Sequence, residues 1–143
     1  MEKFAQGSRY SIGRHCGGAA AIEFSFIAPV FILLLFGMIA YGIYFGAAHS
    51  VQQLTADAAR SAVAGLDETE RRQIVADYVA ANTANYSFLE ASRIAFEATD
   101  NGSEFSVAIS YNASNLPIWN ILPGVVMPGS TIDRRTTIRI GGL

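Results

Sequence analysis

From Phe24 to Ala48 the chain runs for 25 residues without a formal charge. Its centre, "FSFIAPVFILLLFGMIAYGIYF", spans Phe24 to Phe45, and 13 of those 22 residues are Leu, Ile, Val or Phe. As a helix this stretch would be about 33 Å long, enough to cross a hydrocarbon core of about 30 Å. At roughly −0.3 to −0.6 kcal/mol per large apolar residue, these side chains favour insertion by about 4–8 kcal/mol. Pro29 should bend the helix or loosen one turn, which membrane helices tolerate. A cleaved secretory signal fits less well, because the apolar run is about twice the usual length and no clear small-x-small site follows it. Tyr41, Tyr44 and Phe45 fit an aromatic belt at the outer interface.

The pattern then changes without a break. In "HSVQQLTADAARSAVAGL", Val51, Leu54, Ala58, Ala62 and Leu66 recur near helical spacing. One rod is therefore expected from about Ala19 to Ala64, first lipid-facing and then amphipathic, with Gly65 as its stop. "LDETERRQIVADYVAANTANY" reads as a second helix over 67–85. Asp67 is its N-cap, Glu70 the reciprocal capping partner, and Ile74, Val75, Tyr78 and Val79 its apolar stripe. Leu66 is placed for a staple against the Arg71 stem.

Beyond residue 92 the period falls to two. "RIAFEAT" and "EFSVAISY" alternate around "DNGS", and Asn-Gly between alternating runs signals a hairpin because both residues tolerate positive φ. Ile94, Phe96 and Ala98 share one face; Phe105, Val107, Ile109 and Tyr111 face the core. "NLPIWNILPGVVMPG" holds three of the four prolines and reads as a folded loop anchored by Trp119. "STIDRRTTIRI" predicts a third strand. The expected fold class is α+β: a long N-terminal transmembrane and amphipathic helix with a small exported head made of a short helix and an antiparallel sheet. The expected division is 1–18 as a basic cytosolic leader, 19–48 as the membrane helix, and 49–143 as the head (49–65 helix continuation, 67–85 second helix, 92–143 β-rich).

Charge fixes the expected orientation. Lys3, Arg9 and Arg14 against Glu2 make residues 1–18 basic, while the remainder is acidic and contains no lysine. The basic head stays in the cytosol and the body is exported, and an acidic body argues against nucleic acid as a partner. With 15% charged and 51% hydrophobic residues, the chain is too apolar for disorder. The single cysteine, Cys16, precedes the apolar run, so it is neither half of an internal disulfide nor a lipoprotein cysteine.

Candidate chemistry is sparse. His15 and His49 have no second histidine or cysteine at ligand spacing, so no metal or cofactor is expected. Glu90, Glu97, Asp100, Glu104 and Asp133 are scattered over strand edges and turns and read as solvated surface charge. No P-loop, dinucleotide-binding or nucleophile-elbow pattern occurs, so no catalytic residue is assigned and no enzymatic activity is expected. Gly42 and Gly46 form one GxxxG pair, readable as a helix-packing face or as filler. Glu23 stands out. A carboxylate at the edge of a lipid-spanning run needs either snorkelling to the boundary or a neutralising partner.

The surrounding residues address that need. In "GGAAAIEF", a cut after Gly18 would make Ala19 the new N-terminus and put Glu23 at the fifth place, followed by Phe24. This resembles a class III (type IV-like) prepilin signal, in which a peptidase cuts on the cytosolic side of the apolar segment. A cut after Gly17 is a competing possibility. The 49 residues from Gly17 to Gly65, with Ile-Glu-Phe, an early proline, a Leu-rich run and "QLTADAARSA", resemble the TadE-like family of the tight-adherence (Flp) pilus machinery. TadF- and TadG-like relatives remain open. The resemblance implies a minor pilin or pseudopilin in the bacterial inner membrane. It implies processing at Gly18–Ala19 and pairing of the freed Ala19 amine with Glu23 of a neighbour, next to Phe24. The implied partners are other pilus subunits and minor pilins, the prepilin peptidase, the inner-membrane assembly platform and the lipid bilayer. The alternative is a generic signal-anchored envelope protein with a protein-binding periplasmic head.

Overall fold

The computed structural model describes residues 17–119, 126 and 128–140. Residues 1–16 of the leader, with Lys3, Arg9, Arg14, His15 and Cys16, lie outside them, as does part of the proline-rich loop.

Helix α1 runs from Gly17 to Ser61, and a 3₁₀ turn, Ala62–Ala64, closes it. Pro29 sits inside α1. Its missing N–H leaves the Ser25 carbonyl without its usual donor. The Ser25 hydroxyl meanwhile donates back to the Ala21 carbonyl (2.7 Å), so its polarity is spent within the helix.

From Leu35 onward the chain forms one compact unit. Ala47, Ala48, Val51, Leu54, Ala58, Ala59 and Ala62 of α1 are buried there, the face expected from the spacing. Leu66 departs from that expectation. The helical path ends before it, and the residue is 88% exposed. No staple forms. Gly65 adopts an extended conformation and not a left-handed cap. The glycine is needed for space: a Cβ there would lie 2.7 Å from Arg71 Cγ and 2.9 Å from the Arg71 backbone nitrogen.

Helix α2 spans Glu68–Asn82 and continues as a 3₁₀ turn, Thr83–Asn85. Asp67 caps it, accepting from the Glu70 N–H (2.8 Å). The return bond is shifted by one residue, since Glu70 Oε2 accepts from the Leu66 N–H (2.7 Å). Val75 and Val79 bury the stripe, with Tyr78 beside them.

Strands β1 (Ile94–Asp100), β2 (Glu104–Asn112) and β3 (Thr131–Arg139) form an antiparallel sheet in that order. Ile94 pairs with Tyr111, Phe96 with Ile109, and Ala98 with Val107. On the other side, Tyr111 pairs with Ile132 and Phe105 with Ile138. Alternate residues of β2 (Phe105, Val107, Ile109 and Tyr111) are buried, which makes this central strand the sheet's contribution to the core. The hairpin differs in detail from the Asn-Gly expectation. Only Gly102 has positive φ, +85°. Asn101 instead accepts from the Ser103 and Glu104 N–H groups through Oδ1, at 3.0 and 2.7 Å. The observed fold is thus α+β, a long helix, a short helix and a three-stranded sheet.

Candidate functional site

The apolar stretch of α1 makes the site. Ile22, Phe24, Phe26, Ile27, Val30, Phe31 and the residues that follow to Ile39 expose their large side chains. A helix apolar on all sides and uncovered by protein suits lipid and not water. It is long and apolar enough to be a membrane anchor.

Gly18 and Ala19 lie in the first turn of α1, and a Cβ on Gly18 would meet no other atom. Two successive glycines each weaken a helix by about 1 kcal/mol relative to alanine, so this turn is easily unwound. Glu23 projects from the same helix and is exposed, and none of the ion pairs among the described residues includes it. Phe24 beside it is exposed as well.

Gly42 and Gly46 do not present one common free face. Nothing lies near Gly42, whereas a Cβ on Gly46 would sit 2.9 Å from the Phe88 ring of the same chain. Phe88 is unusual for its backbone, with φ at +68°. That conformation costs an L-residue roughly 1–2 kcal/mol. Tyr111 helps hold it: its buried hydroxyl lies 2.8 Å from the Phe88 carbonyl and 3.0 Å from Asn115 Oδ1, and its one proton is shared between these acceptors. No sequence pattern marks Phe88, because it stands in a short connection between two periodic segments.

The remaining polar groups tie elements together. Tyr86 donates to Asp57 of α1 (2.8 Å) and meets the Tyr78 hydroxyl at 3.3 Å. Burial, then hydrogen bonding to Tyr78 and Asp57, pushes the Tyr86 phenol far above its usual value. Asp100 corrects the expectation of solvated charge. It is buried against Arg71, and the Gly102 N–H donates to it at 2.8 Å. First that backbone N–H and then Arg71 hold its carboxyl below the usual range, against the opposing effect of burial. Glu90 is likewise lowered, by Asn115 Nδ2 (2.7 Å) and then Arg93 (2.9 Å). Arg71 Nε has no partner among the described residues, an unmet donor beside the ion pair.

His49 is exposed and meets Gln53 at 3.1 Å. Among the described residues no group of three histidines, cysteines or carboxylates gathers to hold a metal. The open groove between α2 and β1 is lined by Glu68, Arg72, Gln73, Phe96 and Glu97, with the Arg72–Glu68 pair already formed (2.8 Å).

These features define a class: an apolar N-terminal helix that continues into the core of a small α+β unit. The comparison with protein families narrows it, because residues 18–60 match the model described as TadE-like protein. The match covers α1 almost end to end and leaves α2 and the sheet outside. No curated protein and no solved structure matches the chain.

Proposed function

We propose that this protein is a minor pilin or pseudopilin that assists initiation or assembly of a tight-adherence pilus. In this reading α1 spans the bacterial inner membrane once, with the basic leader in the cytosol and the α2–sheet unit in the periplasm. A prepilin peptidase unwinds the glycine-rich first turn and cuts between Gly18 and Ala19. The new Ala19 amine is a cation, and Glu23 of a neighbouring subunit is its counter-ion. In a low-dielectric surrounding the attraction is much stronger than in water, although desolvation offsets part of it. Helices then bundle laterally, and the periplasmic unit contacts other pilus components and the assembly platform.

One observation carries the reading. Within the segment that matches the family, Glu23 stands on an uncovered apolar helix with no counter-ion among the described residues. A charge so placed is costly unless another molecule neutralises it.

The test is the N-terminus of the protein recovered from membranes with and without active prepilin peptidase. Ala19 at the N-terminus only when the peptidase is active is the expected result. An intact Met1 in both removes the amine that Glu23 needs and leaves a signal-anchored envelope protein.

A further inference from the structure

The apolar run of α1 does not stop where the compact unit begins. Ala40 lies inside that run, yet it is fully buried by the unit, and Ile43 and Tyr44 pack on the same core. On its other side the helix remains open there, with Phe45 63% exposed. The last residues of the run, Ala40, Ile43 and Tyr44, thus pack on the folded unit. Two further large apolar side chains are exposed at this level. The Phe88 ring rests on Gly46 and is 48% exposed. Val126 is 86% exposed, and its carbonyl accepts from the Tyr41 hydroxyl at 2.6 Å, which holds that loop residue beside the apolar run. Tyr41, Tyr44 and Phe45 form a ring cluster on α1, with the tyrosine centroids 6.2 and 6.0 Å from that of Phe45.

We propose that Phe88 and Val126 are a second membrane contact, through which the α2–sheet unit sits on the lipid surface. The occupant follows from continuity: the patch extends the apolar surface of the anchor helix and has tyrosine hydroxyls among its rings. Tyr41 and Tyr44, rings with polar tips, suit the boundary between headgroups and acyl chains, and the wholly apolar Phe88 and Val126 side chains suit its acyl side. Gly46 makes the arrangement possible. Any side chain there would displace the Phe88 ring, and the left-handed backbone at Phe88 turns the ring toward α1. The consequence is an orientation: the unit is held at the bilayer at two places outside the helix.

The proposal rests on α1 being a membrane helix, so its test includes that premise. The full chain carrying Trp119→Phe is reconstituted in phosphatidylethanolamine–phosphatidylglycerol vesicles at low protein-to-lipid ratio. Single tryptophans are placed by Phe88→Trp, Val126→Trp, Leu33→Trp and Leu66→Trp. Lipids brominated either near the headgroup end or near the terminus of the acyl chain serve as quenchers. Tryptophan at Phe88 and at Val126 should lose most of its emission to the shallow bromines and little to the deep ones. Leu33→Trp should be quenched by the deep bromines, and Leu66→Trp, at the 3₁₀ corner, by neither. If Phe88→Trp and Val126→Trp emit like Leu66→Trp while Leu33→Trp is quenched, the second contact is wrong and the anchor stands. If Leu33→Trp also escapes quenching, the anchor itself is wrong, and the proposal falls with it. Val126→Trp changes a side chain that packs on little, so it reports even if the Phe88 variant misfolds.

Discussion

Gly65→Ala should destabilise the protein although the backbone there is one that alanine accepts. At φ −74° and ψ 139°, replacing glycine would ordinarily stabilise by about 0.4–1 kcal/mol, through the lost freedom of the unfolded chain. The structure opposes that gain. The added Cβ would lie 2.7 Å from Arg71 Cγ, 2.9 Å from the Arg71 nitrogen and 3.1 Å from Arg71 Cα. A side-chain atom can swing away, but two of the three neighbours are backbone. That backbone is fixed by the first turn of α2, where the Arg71 N–H donates to the Asp67 carbonyl (3.0 Å) and Glu70 is bonded to Asp67 and Leu66. Overpacking of this kind costs about 1–3 kcal/mol. The net expectation is a loss of about 1–2 kcal/mol. Urea unfolding in detergent micelles, followed by Trp119 fluorescence, reads it out. With a slope of about 2 kcal/mol per molar, the midpoint should fall by roughly 0.5–1 M with the slope unchanged. Gly42→Ala is the control, because its Cβ meets nothing and the site is helical. That variant should be neutral or slightly more stable. A midpoint for Gly65→Ala equal to or above the parent would refute the close approach of α2 to the 3₁₀ corner.

Gly18→Leu should block processing and leave the longer form in the membrane, as judged by mass. Glu23→Ala should insert normally but lower pilus yield, counted by electron microscopy; normal yield would reject the pairing role. Stability should also depend on the Asp100 carboxyl. Its folded pKa is depressed, so its contribution is complete above its unfolded value near 4 and disappears as pH falls through the lower folded value. Asp100→Asn should therefore lower the urea midpoint at neutral pH, and the two proteins should converge in acid. Curves that stay parallel would show that the Gly102 and Arg71 contacts contribute no pH-dependent stability. Arg72→Ala, which breaks only the exposed pair with Glu68, should shift stability by no more than about 0.5 kcal/mol.

Local patterns carried most of the architecture. Period-2 alternation placed β1 and β2 and the inward face of β2, although Phe96 of β1 stays exposed, and apolar spacing placed the buried side of α1. The Asp67–Glu70 cap was readable because its partners are three residues apart. Legibility ended where contacts are long-range. Arg71 and Asp100 are 29 residues apart and face each other only because α2 lies beside the hairpin. Asp100 therefore looked like a turn residue in solvent. Leu66 continued a helical period that the chain itself abandons after Ala64. Phe88 was invisible for a different reason: a left-handed phenylalanine has no propensity signal, and its partner Gly46 looked like half of a membrane motif. Glu23, in contrast, was conspicuous from composition alone, since an isolated charge against an apolar background needs no fold to be noticed.

The helix that crosses from the apolar run into the folded unit has a mechanical consequence. Val51, Leu54 and Ala58 belong to the same continuous α1 as Ala40, and they share one buried apolar cluster with Phe105, Val107 and Ile109. Within the compact unit, a force applied to α1 at Ala40 is therefore carried into the apolar cluster that α1 shares with the sheet. Severing the chain after Ser61 would likewise not free a self-sufficient domain, because it would strip β2 of the layer that covers it.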